Sequence, residues 1–289
     1  VPVAIRGRRG RNVPNRGLCR QRVTGGPTEP TDSRYLLERQ YAGPGNLDAR
    51  IALHAQFSTN PGWYKWLFAH FSLPPNGRIL ELGCGSAQMW KHLRAQIPDG
   101  WEIMLTDLSP GMIAAARQSV AELQRPFRFQ VADAQAIPFP DGSYDAVVAN
   151  HMLYHVPDRD RAFAEIRRVL RPRGHLYAAT NGADHLRELD GAISRLGIRQ
   201  AFAVPGYSFT LESGESQLLE WFNWVTLDIH EDSLEVTAVD PLVNYVRSMR
   251  DAMDAEESRL EAFRAWAKSE LDAKGSIHIT KSSGLFTAS

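Results

Sequence analysis

The chain has 289 residues and a mass of 32.3 kDa, which suits one large domain or one domain carrying a cap. Hydrophobic residues make up 43% and charged residues 23%, with a mean hydropathy of −0.32. No run approaches the roughly 20 apolar residues of a membrane helix, which argues against a membrane protein. Cys19 and Cys84 cannot form a disulfide framework, and no signal-peptide pattern opens the chain, so we expect a cytoplasmic location.

The formal net charge of zero hides an uneven distribution of charge along the chain. Residues 1–30 contain seven arginines against one acidic residue, Glu29, and are rich in Gly and Pro. This composition predicts a disordered basic tail and leaves an acidic excess in the remainder. Such a tail can bind nucleic acid or another acidic surface, while a solvated extension without a function is the simpler interpretation.

Three short helices are predicted between residues 31 and 75, at 32–42, 47–58 and 61–71. From residue 78, short apolar strands alternate with helices about ten residues long. The predicted strands are 78–82, 102–106, 127–131, 144–149 and 176–180, with helices at 88–97, after the capping residue Ser109, and at 161–170. This alternation predicts an α/β fold with a doubly wound, largely parallel sheet.

The last hundred residues are less regular. We predict a helix at 183–196, strands at 225–230 and 233–236, helices at 241–253 and 256–274, and a final strand at 276–280. The region at about 237–274 is then a helical insertion before the last strand, placed to cap the site.

Ligands of an open parallel sheet bind outside the carboxyl ends of its strands, so the residues that follow each strand are informative. Gly83 and Gly85 follow the first strand, where they allow a tight turn, and Asp107 follows the second, where a carboxylate can accept hydrogen bonds from a ribose diol. A dinucleotide-binding loop would have a third glycine at position 88, which is Gln. The loop therefore favours a nucleoside bearing an amino-acid chain over a pyrophosphate.

Four segments in this order carry a family resemblance: ILELGCG at 79–85, LTDLSPGM at 105–112, VADAQAIPFPDGSYDAVVANHMLYHV at 131–156 and VLRPRGHLYAATNG at 169–182. They resemble the class I S-adenosylmethionine-dependent methyltransferases, in particular the type 11, small-molecule branch that includes the ubiquinone/menaquinone C-methyltransferases. The resemblance implies a seven-stranded Rossmann-like sheet, mostly parallel with an antiparallel last strand. It also implies that residues 76–289 form the methyltransferase domain, that S-adenosylmethionine is the cofactor, and that residues 31–75 form a helical lid over it.

The resemblance further implies a role for individual residues. The Gly83–Cys84–Gly85 loop would lie against the methionine part of the cofactor, Glu81 would order that loop, and Asn150 would approach the same part through its backbone carbonyl. Met152 is a further residue implied to bind the cofactor. The residues implied at the nucleoside are Asp107 at the ribose, Leu108 and Met112 beside the adenine, and Asp133 and Ala134 at its amino edge. Ala87 stands where the family usually has a third glycine, a change that costs little if its φ is negative.

Four side chains are candidates for catalysis. His151 and His155 follow the fourth strand, and Tyr41 and His54 lie on the predicted N-terminal helices. Histidine has a suitable pKa for taking a proton from a hydroxyl or ammonium acceptor. Structural histidines that are packed or hydrogen-bonded remain the alternative interpretation, and Cys84 is expected to be a packed residue without a catalytic role.

The expected function is metal-independent, in-line methyl transfer to a small-molecule acceptor of secondary metabolism (EC 2.1.1.-). C-methylation of an alkene or isoprenoid through a carbocation is the first alternative, and it would use aromatic walls instead of a base. An RNA-directed methyltransferase and a non-catalytic cofactor-binding protein are the others. We expect a small-molecule partner, neither nucleic acid nor membrane, and the oligomeric state, including a homo-oligomer, stays open.

Overall fold

The computed structural model describes residues 45–123, 125–197, 209–249 and 257–289. The basic tail, the predicted helix at 32–42 and the candidate Tyr41 lie outside the described residues.

Seven strands form one mixed sheet in the order β3-β2-β1-β4-β5-β7-β6. Their bounds are β1 Arg78–Leu82, β2 Glu102–Asp107, β3 Phe127–Val131, β4 Tyr144–Val148, β5 Leu170–Asn181, β6 Val225–Val236 and β7 Ile277–Ala288. The pairings from β3 to β5 are parallel, and β7 runs antiparallel to both of its neighbours. The predicted Rossmann-like sheet with an antiparallel last strand is confirmed.

Helices cover both faces of the sheet and its β6–β7 end. In the described residues they are α1 Gly45–Phe57, α2 Trp63–Ala69, α3 Gln88–Leu93, α4 Pro110–Val120, α5 Arg159–Val169, α6 Arg187–Arg195, α7 Gly214–Leu218, α8 Val239–Arg247 and α9 Glu257–Lys274. Ser109 caps α4 as expected, since its side chain accepts a hydrogen bond from Met112 N. Helices α8 and α9 lie between β6 and β7, where an insertion was predicted.

The predicted strands near the end of the chain are too short. Segments 225–230 and 233–236 belong to the single strand β6, and the last strand continues past residue 280 to Ala288. The reason is tertiary: β7 lies between β5 and β6 and pairs with β6 from Val225↔Ala288 to Val236↔Ile277, so hydrogen bonds on both sides hold a polar stretch that looks like a turn. At Gly284 an added Cβ would lie 2.6 Å from the Asp228 carbonyl, so only glycine fits there.

Three hydrophobic clusters make up the core. One lies on the face that carries α2, α3 and α4, a second on the face that carries α5 and α7, and a third joins α1, α6, α8 and α9 to the ends of β6 and β7. The strand order reverses between β1 and β4, which is where ligands of such sheets bind. Within the described residues, no helix is both long and apolar enough to cross a bilayer.

Candidate active site

The loop after β1 has a backbone that turns through the left-handed region. Gly83 has φ +65° and Gly85 φ +53°. A Cβ at Gly83 would lie 2.7 Å from Met152 Cβ, and one at Gly85 would lie 3.0 Å from Leu47 Cδ2 on α1. Both glycines therefore allow neighbouring segments, the loop after β4 and the first helix, to pack directly onto the turn.

Ala87 is also left-handed, with φ +56°, and it is buried at the start of α3. Alanine would cost little at this position only with a negative φ, whereas the φ of Ala87 is positive. A left-handed alanine is strained by about 1–2 kcal/mol, because its Cβ approaches the next carbonyl oxygen. Ala87 thus adopts the left-handed conformation that a third glycine would adopt, although alanine tolerates a positive φ poorly.

Asp107, at the end of β2, ties the glycine loop to the neighbouring strand. Its Oδ2 accepts a hydrogen bond from Gly85 N at 3.0 Å and its Oδ1 accepts one from Ser109 N at 2.9 Å. Burial raises the pKa of the Asp107 carboxyl, while these backbone hydrogen bonds oppose the shift. Leu108 N also donates to this carboxylate, and three donors leave at least one of its four lone pairs for a further hydrogen bond at this edge.

Glu81 lies inside β1 and is only 3% exposed. Its Oε2 accepts a hydrogen bond from Trp90 Nε1 at 2.6 Å. Burial raises its pKa to about 8, with the Asp107 charge adding to the shift and the Trp90 hydrogen bond opposing it. Glu81 is therefore largely protonated at neutral pH and, through Trp90, fixes the helix that follows the glycine loop.

Asn150 follows β4 and faces the same turn. Its Nδ2 lies 3.4 Å from Met89 Sδ, and its side chain also hydrogen-bonds Glu81. Its Oδ1 is buried and has no hydrogen-bond partner in the described structure. A buried amide oxygen without a donor is costly, so this atom marks a place where a hydrogen-bond donor fits.

The remaining predicted nucleoside residues lie along the ends of β2 and β3. Asp107 pairs with Val131, and Ala132 N donates to the Asp107 carbonyl at 3.0 Å, so Asp133 follows directly beside it. Asp133 Oδ1 accepts from Gln135 N at 2.8 Å. Of the residues expected beside the adenine, Ala134 and Met112 are buried and Leu108 is half-buried. Cys84, in the glycine loop, is also buried, and burial raises the pKa of its thiol well above the usual value. Cys84 is thus a protonated, packed thiol.

Two of the four catalytic candidates lie in a group of histidines under α1. The rings of His54 and His185 stack with centroids 6.0 Å apart, and His151 is close enough to lower the pKa of both. We call His54, His151 and His185 the histidine cluster. His155 has a different neighbour, the ring of Tyr154 at 4.6 Å, and Tyr41 lies outside the described residues.

All three imidazoles of the cluster are neutral at pH 7. Burial first, then the Lys281 charge, lowers the pKa of His54 to about 3 and of His151 to about 4, and burial lowers that of His185 well below its usual value. Lys281 itself forms an ion pair with Asp232, whose side chain is 1% exposed. In the described part of the chain, no group of three or more His, Cys, Asp or Glu side chains could hold a metal ion.

Sequence reasoning missed His185, Lys281 and Asp232. His185 lies in the segment after β5, just as Asp107 and Asn150 follow predicted strands. Its position after a strand could therefore have selected it from the sequence. Lys281 was missed because the predicted last strand ends at residue 280, whereas β7 continues to Ala288.

A protein-family comparison matches residues 80–178 to the family described as "Methyltransferase domain". Among curated proteins, the chain is 35% identical over 120 residues to malonyl-[acyl-carrier protein] O-methyltransferase of Halorhodospira halophila, covering 42% of this chain and 40% of that protein. It is 38% identical over 99 residues to demethylmenaquinone methyltransferase of Thermus thermophilus, covering 34% of this chain and 44% of that protein. The chain therefore spans less than half the length of these relatives.

Solved structures show the same fold at low sequence identity. The YcgJ protein from Bacillus subtilis aligns with a TM-score of 0.55 and 17% identity, covering 78% of this chain and 96% of that one. Phosphoethanolamine N-methyltransferase 2 of Haemonchus contortus, solved with S-adenosylhomocysteine, aligns with a TM-score of 0.56 and 18% identity, covering 90% of this chain and 60% of that one. The sheet order and the four ordered segments agree with the match of residues 80–178 to a methyltransferase domain.

Proposed function

We propose that the protein transfers a methyl group from S-adenosylmethionine to a small-molecule acceptor. The observation that carries this proposal is the Asp107 carboxylate, which joins the left-handed turn at Gly85 to the end of β2 beside the point of strand reversal. Paired with the match of residues 80–178, this geometry suits a nucleoside held by its ribose, as in the expectation from the sequence.

The residues present fit the cofactor. Asp107 would accept hydrogen bonds from the ribose hydroxyls, and Asp133 with Ala134 would meet the adenine, beside Leu108 and Met112. The unpartnered Asn150 Oδ1 is an acceptor for the ammonium group of the methionine part, a contact through the side chain instead of the expected backbone carbonyl. Gly83, Cys84 and Met152 would border the same part, with Glu81 ordering the loop.

The cofactor supplies a methyl group activated on a sulfonium sulfur, so the chain mainly has to align the acceptor and exclude water. Helix α1 lies over the turn through Leu47, and α2 brings Trp63 to within 5.5 Å of His151, ring centroid to centroid. These contacts support a lid role for the N-terminal helices. The aromatic faces also favour a cationic methyl donor.

The acceptor atom is best assigned from the histidine cluster. Two curated relatives are named for different methyl acceptors: an O-methyltransferase from Halorhodospira halophila and the C-methyltransferase UbiE from Geotalea daltonii. The match to the domain alone therefore does not identify the acceptor atom. Imidazoles beside the loop that follows β4 favour an acceptor that loses a proton over an alkene methylated through a carbocation. We assign a metal-independent transfer to a heteroatom of a small secondary metabolite.

Replacing Asp107 tests the cofactor site. Asp107→Ala removes the acceptor proposed for the ribose and frees Gly85 N, so the affinity for S-adenosylhomocysteine should fall by at least about tenfold, the worth of one hydrogen bond to a charged group. Calorimetric titration measures this affinity. Asp99→Ala is the control, because Asp99 is a fully exposed carboxylate that forms an ion pair with Arg125, away from the glycine loop. Equal affinity of wild type and Asp107→Ala would contradict the assignment.

A further inference from the structure

We propose that the histidine cluster is the acceptor-binding site, and that the acceptor is a flat, apolar molecule presenting an acidic hydroxyl such as a phenol or enol to it. In this proposal His185 donates a hydrogen bond to the acceptor oxygen and His54 takes its proton. The inference rests on the proposed methyl transfer and names the class of substrate for it.

The tautomer of His185 is set by its neighbours. Ser282 N donates a hydrogen bond to His185 Nδ1 at 3.2 Å, so Nδ1 is the acceptor and the proton of the neutral ring is on Nε2. His185 therefore presents an N–H donor on its other side. His54 is complementary, since its buried Nδ1 has no hydrogen-bond partner in the described structure and can accept a proton.

The position of the cluster next to the donor site follows from α1. Leu47 on this helix contacts the Gly85 turn, and His54 lies seven residues further on the same face, two turns or about 10 Å along the axis. His151 is the residue directly after Asn150. The three imidazoles thus lie where a molecule would meet the methionine end of the proposed cofactor site.

The charges around the cluster favour an anionic oxygen. Lys281 on β7 lowers the pKa of all three imidazoles, and the carboxylate that opposes it at His54 is Asp232 on β6. Asp232 already accepts from Ser58 Oγ at 2.5 Å and from two backbone N–H groups, as well as from Lys281. Burial lowers the pKa of His230 on β6, so this imidazole adds no positive charge of its own beside the cluster.

The last element against the cluster is α8, which places Tyr245 edge-on to His54 with ring centroids 5.9 Å apart. An oxyanion between the imidazoles would raise their pKa and so stabilise the proton on His54. In the transfer, the acceptor O–H bond breaks with its proton passing to His54 Nδ1. The oxygen–methyl bond forms, and the sulfur–methyl bond breaks with its electron pair going to sulfur.

Aromatic rings supply the apolar wall. Trp63 and Trp66 on α2 stack with centroids 5.1 Å apart, and Trp63 lies 5.5 Å from His151. Both tryptophans also meet His230 edge-on, at 5.3 and 5.1 Å. A flat ring is the shape that such a wall accepts best, because stacking adds to apolar burial.

The test uses 4-nitrophenol, whose visible absorbance reports its ionised form, added to the full chain saturated with S-adenosylhomocysteine at a pH where the free phenol is mostly neutral. We expect binding with an increase in the ionised band. His185→Gln should weaken binding at least about tenfold, and His54→Gln should leave the bound phenol neutral. His175→Gln is the control, since His175 is also a histidine of lowered pKa with an unpartnered Nδ1, but it lies six residues before the end of β5.

The outcomes separate the two proposals. If S-adenosylhomocysteine itself does not bind, the proposed function fails. If it binds but 4-nitrophenol does not bind, or binds without ionising, the proposed function stands and the acceptor site is wrong. Retained S-adenosylhomocysteine binding by each variant shows that it is folded, and an effect of His175→Gln equal to that of His185→Gln would also overturn the inference.

Discussion

Gly83 and Gly142 have nearly the same backbone conformation, with φ +65° and +58°, but very different surroundings. A Cβ at Gly83 would lie 2.7 Å from Met152 Cβ, whereas one at Gly142 would meet no atom within 4 Å. Comparing the two positions therefore distinguishes the cost of backbone strain, present at both, from the cost of a clash with Met152, present only at Gly83.

Substitution by alanine measures the difference. Gly142→Ala should cost about 1 kcal/mol in the free energy of unfolding, from left-handed strain alone. Gly83→Ala should cost a further 1–3 kcal/mol or so, because the loop after β4 must move, and it should also weaken S-adenosylhomocysteine binding. Denaturant unfolding gives the first quantity and calorimetry the second. Equal losses for the two variants would mean that the contact with Met152 is unimportant.

At the scale of elements, Arg50 anchors α1 to the end of α8. Arg50 Nη2 donates to the Ser248 carbonyl at 2.6 Å and Arg50 Nε donates to Ser248 Oγ at 3.2 Å. Because α1 also carries Leu47 over the glycine turn and His54 into the histidine cluster, this anchor supports both halves of the proposed site.

Loosening the anchor should affect the site at a distance. Arg50→Met should speed amide hydrogen exchange across Gly45–Phe57 and weaken S-adenosylhomocysteine binding, although Arg50 is not one of the residues proposed to touch it. Arg264→Met is the matched control, since Arg264 joins α9 to Asp240 on α8 at the surface. Unchanged exchange in α1 would show that other contacts hold the lid.

At the scale of the whole molecule, the buried histidines make stability depend on pH. The folded-state pKa values of His54 and His151 are about 3 and 4, with that of His185 also lowered, whereas an unfolded histidine has a pKa of about 6.5. Below pH 6.5 the unfolded chain binds protons that the native cluster does not. Each histidine then lowers the stability by up to about 1.4 kcal/mol per pH unit, until its folded pKa is reached.

We therefore expect the free energy of unfolding to fall steeply between pH 6.5 and about 4, and the loss to become shallower in His54→Gln. Urea unfolding at a series of pH values checks both. Burial raises the pKa of Asp232, but hydrogen bonds from Lys281 and Ser58 outweigh it and lower the pKa to about 2. The stability that Asp232 contributes is therefore fully present above its unfolded pKa of about 4 and is lost only at lower pH, outside this window. A flat profile between pH 6.5 and 4 would mean that the cluster is solvated.

How far the sequence predicts this molecule depends on the range of the interactions involved. Strands β1 and β3 were predicted to the residue, because short apolar runs bounded by turn residues need no distant partner to be recognised. The twelve-residue β7 was not, since its polar Ser282 and Ser283 stay extended only between two neighbouring strands.

The site divides in the same way. Asp107 and Asn150 could be selected because each directly follows a predicted strand. The meeting of His54 with His185 and Lys281 depends on how α1 crosses the ends of β5 and β7, which no local pattern encodes. The left-handed Ala87 was missed because alanine carries no signal for a positive φ.

We propose above all that the ends of β1, β2 and β3 bind an adenosyl cofactor. Amide hydrogen exchange of the full chain with and without S-adenosylhomocysteine tests it most directly. Saturable binding with slowed exchange at residues 83–87, 107–112 and 133–135 is the result we predict. A folded chain that shows no binding, or protection confined to other segments, would contradict the account.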